Sequence, residues 1–201
     1  MYRTIGKARP RGICGSGLID SIYELVRNKI IGQDGKFNLS SGDERIVEKD
    51  DEAAFIVAFS KETETGKDLA IKESDISNLI RSKGAVFAAI KSLIDYVGLS
   101  FNDIDTFFVA GGFGSYLDIP KAIAIGLLPD IDPKKIKFVG NSSLMGARMA
   151  LLSTHAFERT IKIASGMTNI ELSTYLPFMD EYVAALFLPH TDRKLFSSVD
   201  Y

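Results

Sequence analysis

Apolar positions along this chain follow two rhythms, one of three to four residues and one of two. In LIDSIYELVRNKII (18–31), Leu18, Ile19, Ile22, Leu25, Val26 and Ile30 recur every three or four positions, which predicts a helix with one buried face. Gly15-Ser16-Gly17 stands at its start, and Gly32 with the Asp34-Gly35 pair turns the chain after it. The rhythm then shortens. KFNL (36–39), RIVE (45–48), AAFIVAF (53–59) and residues 69–71 read as short strands separated by polar turns. A long helix, capped by Ser74 or Asp75, is predicted to continue through SNLIRSKGAVFAAIKSLIDYVG and stop at Gly98.

The second half repeats one plan. TFFVA (106–110) predicts a strand whose unbroken apolar run suggests burial on both faces, and it runs into Gly111-Gly112-Phe113-Gly114. IPKAIAIGLLPD (119–130) reads as a short helix closed by Gly126. Residues 136–139 then predict another strand, Gly140-Asn141 another turn, and a helix through Leu152 whose Gly146, Ala147 and Ala150 allow close packing. Two successive strand, glycine turn, helix units imply an α/β sheet with a crevice at the strand ends. Beyond them FERTIKIASGM (157–167) predicts a helix, IELS (170–173) a strand, and YLPFMDEYVAALFLP (175–189) a partly helical segment. Its Tyr175, Phe178, Tyr182 and Phe187 are spaced as one face and read as core or interface.

Composition removes several classes of function. The 201 residues carry 24 Lys+Arg against 26 Asp+Glu, a net charge of −2, and no dense basic run, so nucleic acid is not an expected partner. No apolar run approaches the roughly 20 residues needed to span a bilayer, and no membrane association is expected. Cys14 is the single cysteine, and His155 and His190 are the two histidines. Neither a disulfide framework nor a cysteine-rich metal or iron–sulfur site can be built from this chain alone, which suits a reducing, cytoplasmic setting. Cys14, between Ile13 and Gly15, reads as a small buried hydrophobe rather than a redox centre. The abrupt start, MYRTIGKARPRG, reads as a piece cut from something larger.

The glycine turns are the candidate chemistry. Glycine allows positive φ and close approach of another group to the main chain, and turns at the carboxyl ends of sheet strands are where open α/β folds bind ligands. Gly111-Gly112, Gly140-Asn141-Ser142 and Gly15-Ser16-Gly17 are therefore candidates for one shared site, although each alone is equally a plain strand-to-helix or helix-entry turn. No segment matches G-x-x-x-x-G-K-[ST], and GGFG lacks the G-x-G-x-x-G spacing of a dinucleotide fingerprint.

Residues 70–122, from AIKESDI to DIPKA, resemble the second lobe of the acetate kinase, sugar kinase, heat-shock chaperone and actin superfamily, where a Gly-Gly turn after an apolar strand forms the adenosine motif. More narrowly, GICGSGLID, VAGGFGSYLD, AIGLLP and VGNSSLMGA, in this order, resemble the C-terminal part of the reductive activators of corrinoid proteins. The resemblance covers nearly all of residues 12–189. In that family an N-terminal ferredoxin domain carrying a [2Fe–2S] cluster precedes an actin-like ATPase domain.

The resemblance implies an α/β fold, an actin-like (ribonuclease H-like) ATPase lobe with a mixed sheet flanked by helices and a small β-rich insertion. Residues 30–73 would be the insertion and 74–201 the adenosine-side lobe. Gly111, Gly112, Phe113 and Gly114 would lie against the adenosine of ATP or ADP, with Gly140, Asn141 and Ser142 near the same nucleotide and Gly15 and Ser16 in a further motif of the site. Arg81 and Lys83 would either reach the adenine or ribose or belong to an ordinary solvated helix face. Implied cofactors are ATP or ADP with Mg²⁺, and a [2Fe–2S] cluster only on an N-terminal part outside this chain. Implied partners are a corrinoid protein or corrinoid iron–sulfur protein and, further, a second copy of the chain.

The implied activity is ATP-driven electron transfer to cob(II)alamin, restoring Co(I) for methyl transfer. Two departures limit it here: no D-x-G-[TS]-type phosphate motif is present, and the ferredoxin cysteines are absent. No catalytic residue is assigned, and the chain alone is not expected to hydrolyse ATP efficiently, because phosphoryl transfer depends on positioning and charge-stabilising groups. Two alternatives stay open. One is a small-molecule kinase of the same superfamily. The other is a non-catalytic interaction or dimerisation domain that uses Tyr116, Asp118 and the KETETGKD loop (61–68) as contacts.

Overall fold

The computed structural model describes residues 2–112 and 114–201. The first helical rhythm becomes α1 (Gly15–Arg27), which buries Ile19, Ile22, Leu25 and Val26. Cys14 is its N-cap, with Sγ accepting from the Gly17 amide at 3.4 Å. The thiol is exposed. The expectation of a buried hydrophobe fails because the cap position holds the side chain over the open first turn.

An antiparallel meander follows, β1 (Ile46–Lys49), β2 (Glu52–Ala58) and β3 (Leu69–Lys72), in that order across the sheet. Alternation along β2 buries Ala54, Ile56 and Ala58. KFNL does not form a strand. Phe37 makes a single bridge to Ile31, and its amide is taken by Glu73 Oε1 at 3.1 Å, while residues Leu39–Ser41 coil into a 3₁₀ turn. The Asn38 amide donates to Ile30 O and the Gly32 amide to Lys36 O, both at 2.8 Å, so the pairing is one bridge that stops where Leu39–Ser41 coil away.

From β3 the chain enters α2 (Glu73–Tyr96) directly, with Lys72 as N-cap, two residues before Ser74 and three before Asp75. Asp75 acts from within the first turn, accepting from the Lys72 amide at 3.0 Å, and Ser74 Oγ is directed at Glu52, 3.0 Å away. One face of α2 is buried through Ile76, Ile80, Gly84, Phe87 and Ala88, and Gly98, at φ +71°, ends the run.

The repeated unit forms a separate two-stranded parallel sheet. β4 (Phe107–Ala110) pairs with β5 (Ile136–Gly140) from Phe107↔Ile136 to Ala110↔Gly140, and α3 (Ile119–Ala124) lies between them in sequence. Burial of β4 on both faces is not found. Phe107 and Val109 pack against the core, whereas Phe108 is 63% exposed. Parallel strands normally have both faces covered, so this pair presents one face still uncovered.

One apolar cluster joins α1, β3, α2 and α3 with Ala185, Leu188 and Phe196 from the C-terminal stretch. The next two helices along the chain contribute no described residue to it. α4 (Ser142–Leu152) and α5 (Thr154–Ser165) pack on each other and bury no residue in the rest of the chain. Leu151 is 87% exposed and Phe157 54% exposed, and a Cβ on Gly146 would meet no described residue within 4 Å, so Gly146 serves no close packing among the described residues.

IELS is a turn, not a strand. Ser173 Oγ donates to Glu171 Oε1 at 2.8 Å and the Thr174 amide to Glu171 O at 3.2 Å, so local bonds satisfy the backbone and no strand partner is engaged. α6 (Leu176–Ala184) then packs along α2, with Tyr175 edge-on to Tyr96 at 5.9 Å between ring centres. The chain from 185 onward folds back into the core.

Candidate functional site

β4 and β5 end side by side, and the turns that follow them touch. The Gly111 amide donates to the Gly140 carbonyl at 2.6 Å, at the point where the ladder register shifts. Gly111 has φ +98° and Gly140 φ +62°, conformations that an L side chain disfavours. A Cβ added to Gly111, Gly112 or Gly140 would meet nothing within 4 Å. These glycines are therefore not needed for packing against any described residue. They leave a strip of bare backbone facing open space.

Gly114 has a different role. A Cβ there would lie 2.7 Å from Val109 Cγ1 and 3.3 Å from Phe138 Cδ1, so its lack of a side chain lets the turn fold down onto the strands. Phe113, the remaining member of the predicted turn, lies outside the described residues. Leu117 is then buried, and Asp118 caps α3 by accepting from the Lys121 amide at 3.2 Å. Asn141 caps α4 in the same way, its Oδ1 accepting from the Leu144 amide at 3.0 Å. Ser142 opens that helix and is exposed. Gly140, Asn141 and Ser142 thus sit at a helix N-terminus, whose unpaired amides favour negative or electron-rich groups.

Gly15 and Ser16 form the first turn of α1, where Ser16 Oγ lies 3.4 Å from Cys14 Sγ. The hydrogen bond with Ser16, and next the Gly17 amide, hold the Cys14 thiol below its ordinary pKa. α1 packs against α3, with Lys121 Nζ 3.5 Å from Asp20 and 3.6 Å from Glu24. Among the described residues no hydrogen bond joins Gly15 or Ser16 to either glycine turn. The structure brings Gly111, Gly112, Gly114, Gly140, Asn141 and Ser142 together, and relates Gly15 and Ser16 to them only through α1 and α3.

On α2, Arg81 is exposed and Lys83 is not. Lys83 Nζ donates to the carbonyls of Phe187 and, at 2.6 Å, Pro189. It belongs neither to a solvated face nor to the glycine turns. Burial lowers its pKa from 10.5 to about 7. Among the described residues no group of three or more His, Cys, Asp or Glu side chains is placed to hold a metal ion.

The model of the C-terminal domain of RACo, the ASKHA domain, matches residues 1–200. The chain belongs to that family. Its α/β architecture is accordingly the actin-like one of RACo C-terminal domains. A solved reductive activator for corrinoid, iron–sulfur protein superposes with a TM-score of 0.92 at 50% identity, over 99% of this chain and 32% of that one. The corrinoid activation enzyme RamQ of Eubacterium limosum is 32% identical over 191 residues, 90% of this chain and 32% of the relative. A [Co(II) methylated amine-specific corrinoid protein] reductase of Methanosarcina barkeri is 29% identical over 123 residues, 60% of this chain and 23% of the relative. This RACo C-terminal domain therefore spans a third or less of the length of each. Among the described residues no helix is long and apolar enough to cross a membrane.

Proposed function

We propose that this chain is the nucleotide-binding C-terminal part of an ATP-dependent reductive activator, which passes electrons from a [2Fe–2S] cluster on another part of the polypeptide to the cob(II)alamin of a corrinoid protein. The product is Co(I), competent for methyl transfer. The reading is supported by family membership and by relatives whose names describe corrinoid activation and reduction. The observation that carries it is the bare, paired backbone of Gly111, Gly112 and Gly140.

That backbone fits the nucleoside end of ATP or ADP. A flat ring or a ribose can approach a strip on which even a Cβ would meet no described neighbour, and α4 starts directly after it, at Ser142. The phosphate end is assigned elsewhere. Asp118, the acidic side chain beside the Gly111 turn, is used as a helix cap, so Mg²⁺ and the β- and γ-phosphates fall to the longer polypeptide. Residues 30–73 serve as the β-rich insertion and 74–201 as the adenosine-side lobe of a cytoplasmic protein.

Reducing cob(II)alamin is energetically uphill, and a nucleotide helps only through different affinities for two conformations. Closure of lobes around bound nucleotide is a standard means to that end. The uncovered sheet face at Phe108 and the exposed apolar residues of α4 and α5 suit a chain that works packed against more polypeptide. The same surface also favours a second reading, a domain used mainly for interaction, either with the rest of the activator or with a second copy.

Isothermal titration with ADP and ATP, with and without Mg²⁺, on this chain and on Gly112→Val separates the readings. Because a side chain at position 112 enters open space, the variant keeps its fold and occupies the ligand's volume. Binding abolished by Gly112→Val supports the nucleotide reading. Binding left intact by it moves the nucleotide away from this turn, and absence of binding in both this chain and a full-length activator leaves the interaction reading.

A further inference from the structure

The C-terminal stretch, residues 185–201, is a strap laid across the core. Ala185, Leu188, Pro189 and Phe196 are buried. The Leu188 amide donates to Gln33 O at 2.8 Å, in the loop after α1. The Ser198 amide and hydroxyl donate to the Asp130 carboxylate at 2.9 and 2.6 Å, and the Tyr201 hydroxyl donates to Ala124 O at the end of α3. The fit against glycines is close: a Cβ on Gly84 would lie 3.2 Å from Ala185 O, and one on Gly126 2.1 Å from Pro189 O. The strap thus braces α2 together with α1 and α3, the helices that leave two of the glycine segments.

Lys83 lies beneath it. Its side chain is fully buried, and Nζ donates to two strap carbonyls, those of Phe187 and Pro189. The charged groups on the surrounding elements are directed at other partners or at solvent, and Arg193 Nη1 is buried without a hydrogen bond among the described residues. Glu181 of α6 is 3.0 Å from His190 Nε2, and the Asp192 amide donates to His190 Nδ1. Asp192 Oδ1 accepts from the Lys194 amide, and Arg193 Nη2 donates to Val199 O. Lys91 on α2 pairs with Asp95, Arg81 is exposed, and Lys121 on α3 faces Asp20 and Glu24. No carboxylate is paired with Lys83 among the described residues.

Two carbonyl acceptors without a counter-ion match a neutral amine, which has two protons to donate. An ammonium ion brings a third proton and a charge that nothing in the site balances.

We propose that Lys83 is a proton-sensitive lock on the C-terminal strap: the neutral amine holds the strap down, and protonation favours its release to water. The direction follows from linkage. With the strap closed, burial keeps the amine near a pKa of about 7, while a released, solvated lysine returns to its ordinary 10.5. Closing therefore strengthens by up to about tenfold per pH unit between those two values and does not change below the lower one. The strap is loosest at neutral pH and below.

Amide hydrogen exchange on this chain, corrected for intrinsic rates and run from about pH 6 to about pH 9, tests the lock against Lys83→Met, a neutral chain of similar length. The protection factors of Leu188 and Thr191, whose amides bond to Gln33 O and Ala184 O, should rise about tenfold per pH unit above pH 7 in the parent chain and stay flat in the variant. A flat parent profile overturns the proposal. A slope retained in Lys83→Met comes from a group other than Lys83 and overturns it equally. If the variant does not fold, the ¹³Cε resonance of Lys83 in the parent chain decides: a titration near pH 7 supports the lock, and one near pH 10 contradicts it.

Discussion

The Gly111 amide and the Gly140 carbonyl meet at 2.6 Å, which makes the turns after β4 and β5 one structural unit. Displacement of one strand end is therefore coupled to displacement of the other. The two glycines hold their shape through positive φ, and Gly112 holds only space.

That difference predicts a graded response to alanine. Gly111→Ala, at φ +98°, should lower the unfolding free energy by about 1–2 kcal/mol, and Gly140→Ala, at φ +62°, by less, since the left-handed region is milder. Gly112→Ala should leave it unchanged, because its φ is not positive and its Cβ meets nothing. Urea unfolding measures all three, and equal losses at 111 and 112 would contradict the assignment.

Gly126→Ala should be the most damaging glycine substitution. Its Cβ would sit 2.1 Å from the Pro189 carbonyl oxygen at φ +76°, so neither a backbone shift nor a rotamer relieves the clash. A thermal midpoint lowered more than by Gly111→Ala, with faster proteolysis after residue 185, is the expected result.

Phe87 is the joint between α2 and the strap. It is fully buried, with ring centres 5.9 Å from Phe101, 5.3 Å from His190 and 5.2 Å from Phe196. Phe87→Ala should cost about 3–5 kcal/mol, the usual range for opening a cavity of that size, as measured by denaturant unfolding.

The α4–α5 pair should respond in the opposite sense. Leu151→Glu and Phe157→Glu act on side chains 87% and 54% exposed, so each should alter the stability of this chain by less than about 0.5 kcal/mol. Marked destabilisation would show that these residues already pack within the chain.

Cys14 should alkylate readily. Ser16 and the Gly17 amide favour its thiolate, so the rate with iodoacetamide should reach half its plateau at a lower pH than for a free thiol, and Ser16→Ala should move that midpoint upward. A midpoint unchanged by Ser16→Ala would remove the hydroxyl as the cause.

The features legible in the sequence are those whose cause is local. The i, i+3, i+4 spacing of Ile76, Ile80, Gly84, Phe87 and Ala88 and the stop at Gly98 placed α2, and the glycine punctuation located the turns at 111 and 140. Segments shaped by side-chain bonds or by a distant partner are not legible in this way. KFNL and IELS have strand-like composition, but KFNL ends after one bridge as Leu39–Ser41 coil away, and IELS turns on its own Glu171. The apolar run at Phe108 resembles a strand buried on both faces, which depends on polypeptide packed against it. Lys83 resembles a surface lysine because the carbonyls that bury it come more than 100 residues later. The neighbours of Cys14 suggest burial, whereas its exposure follows from capping α1.

The most direct test of the account is an ADP titration of the ¹⁵N-labelled chain, following backbone amides one by one. Shifts that saturate together at Gly111, Gly112, Gly140, Asn141 and Ser142, with little change in the β1–β3 meander, are the predicted result. Saturable shifts elsewhere that leave these five amides still would contradict the central claim that the paired glycine turns hold the nucleotide.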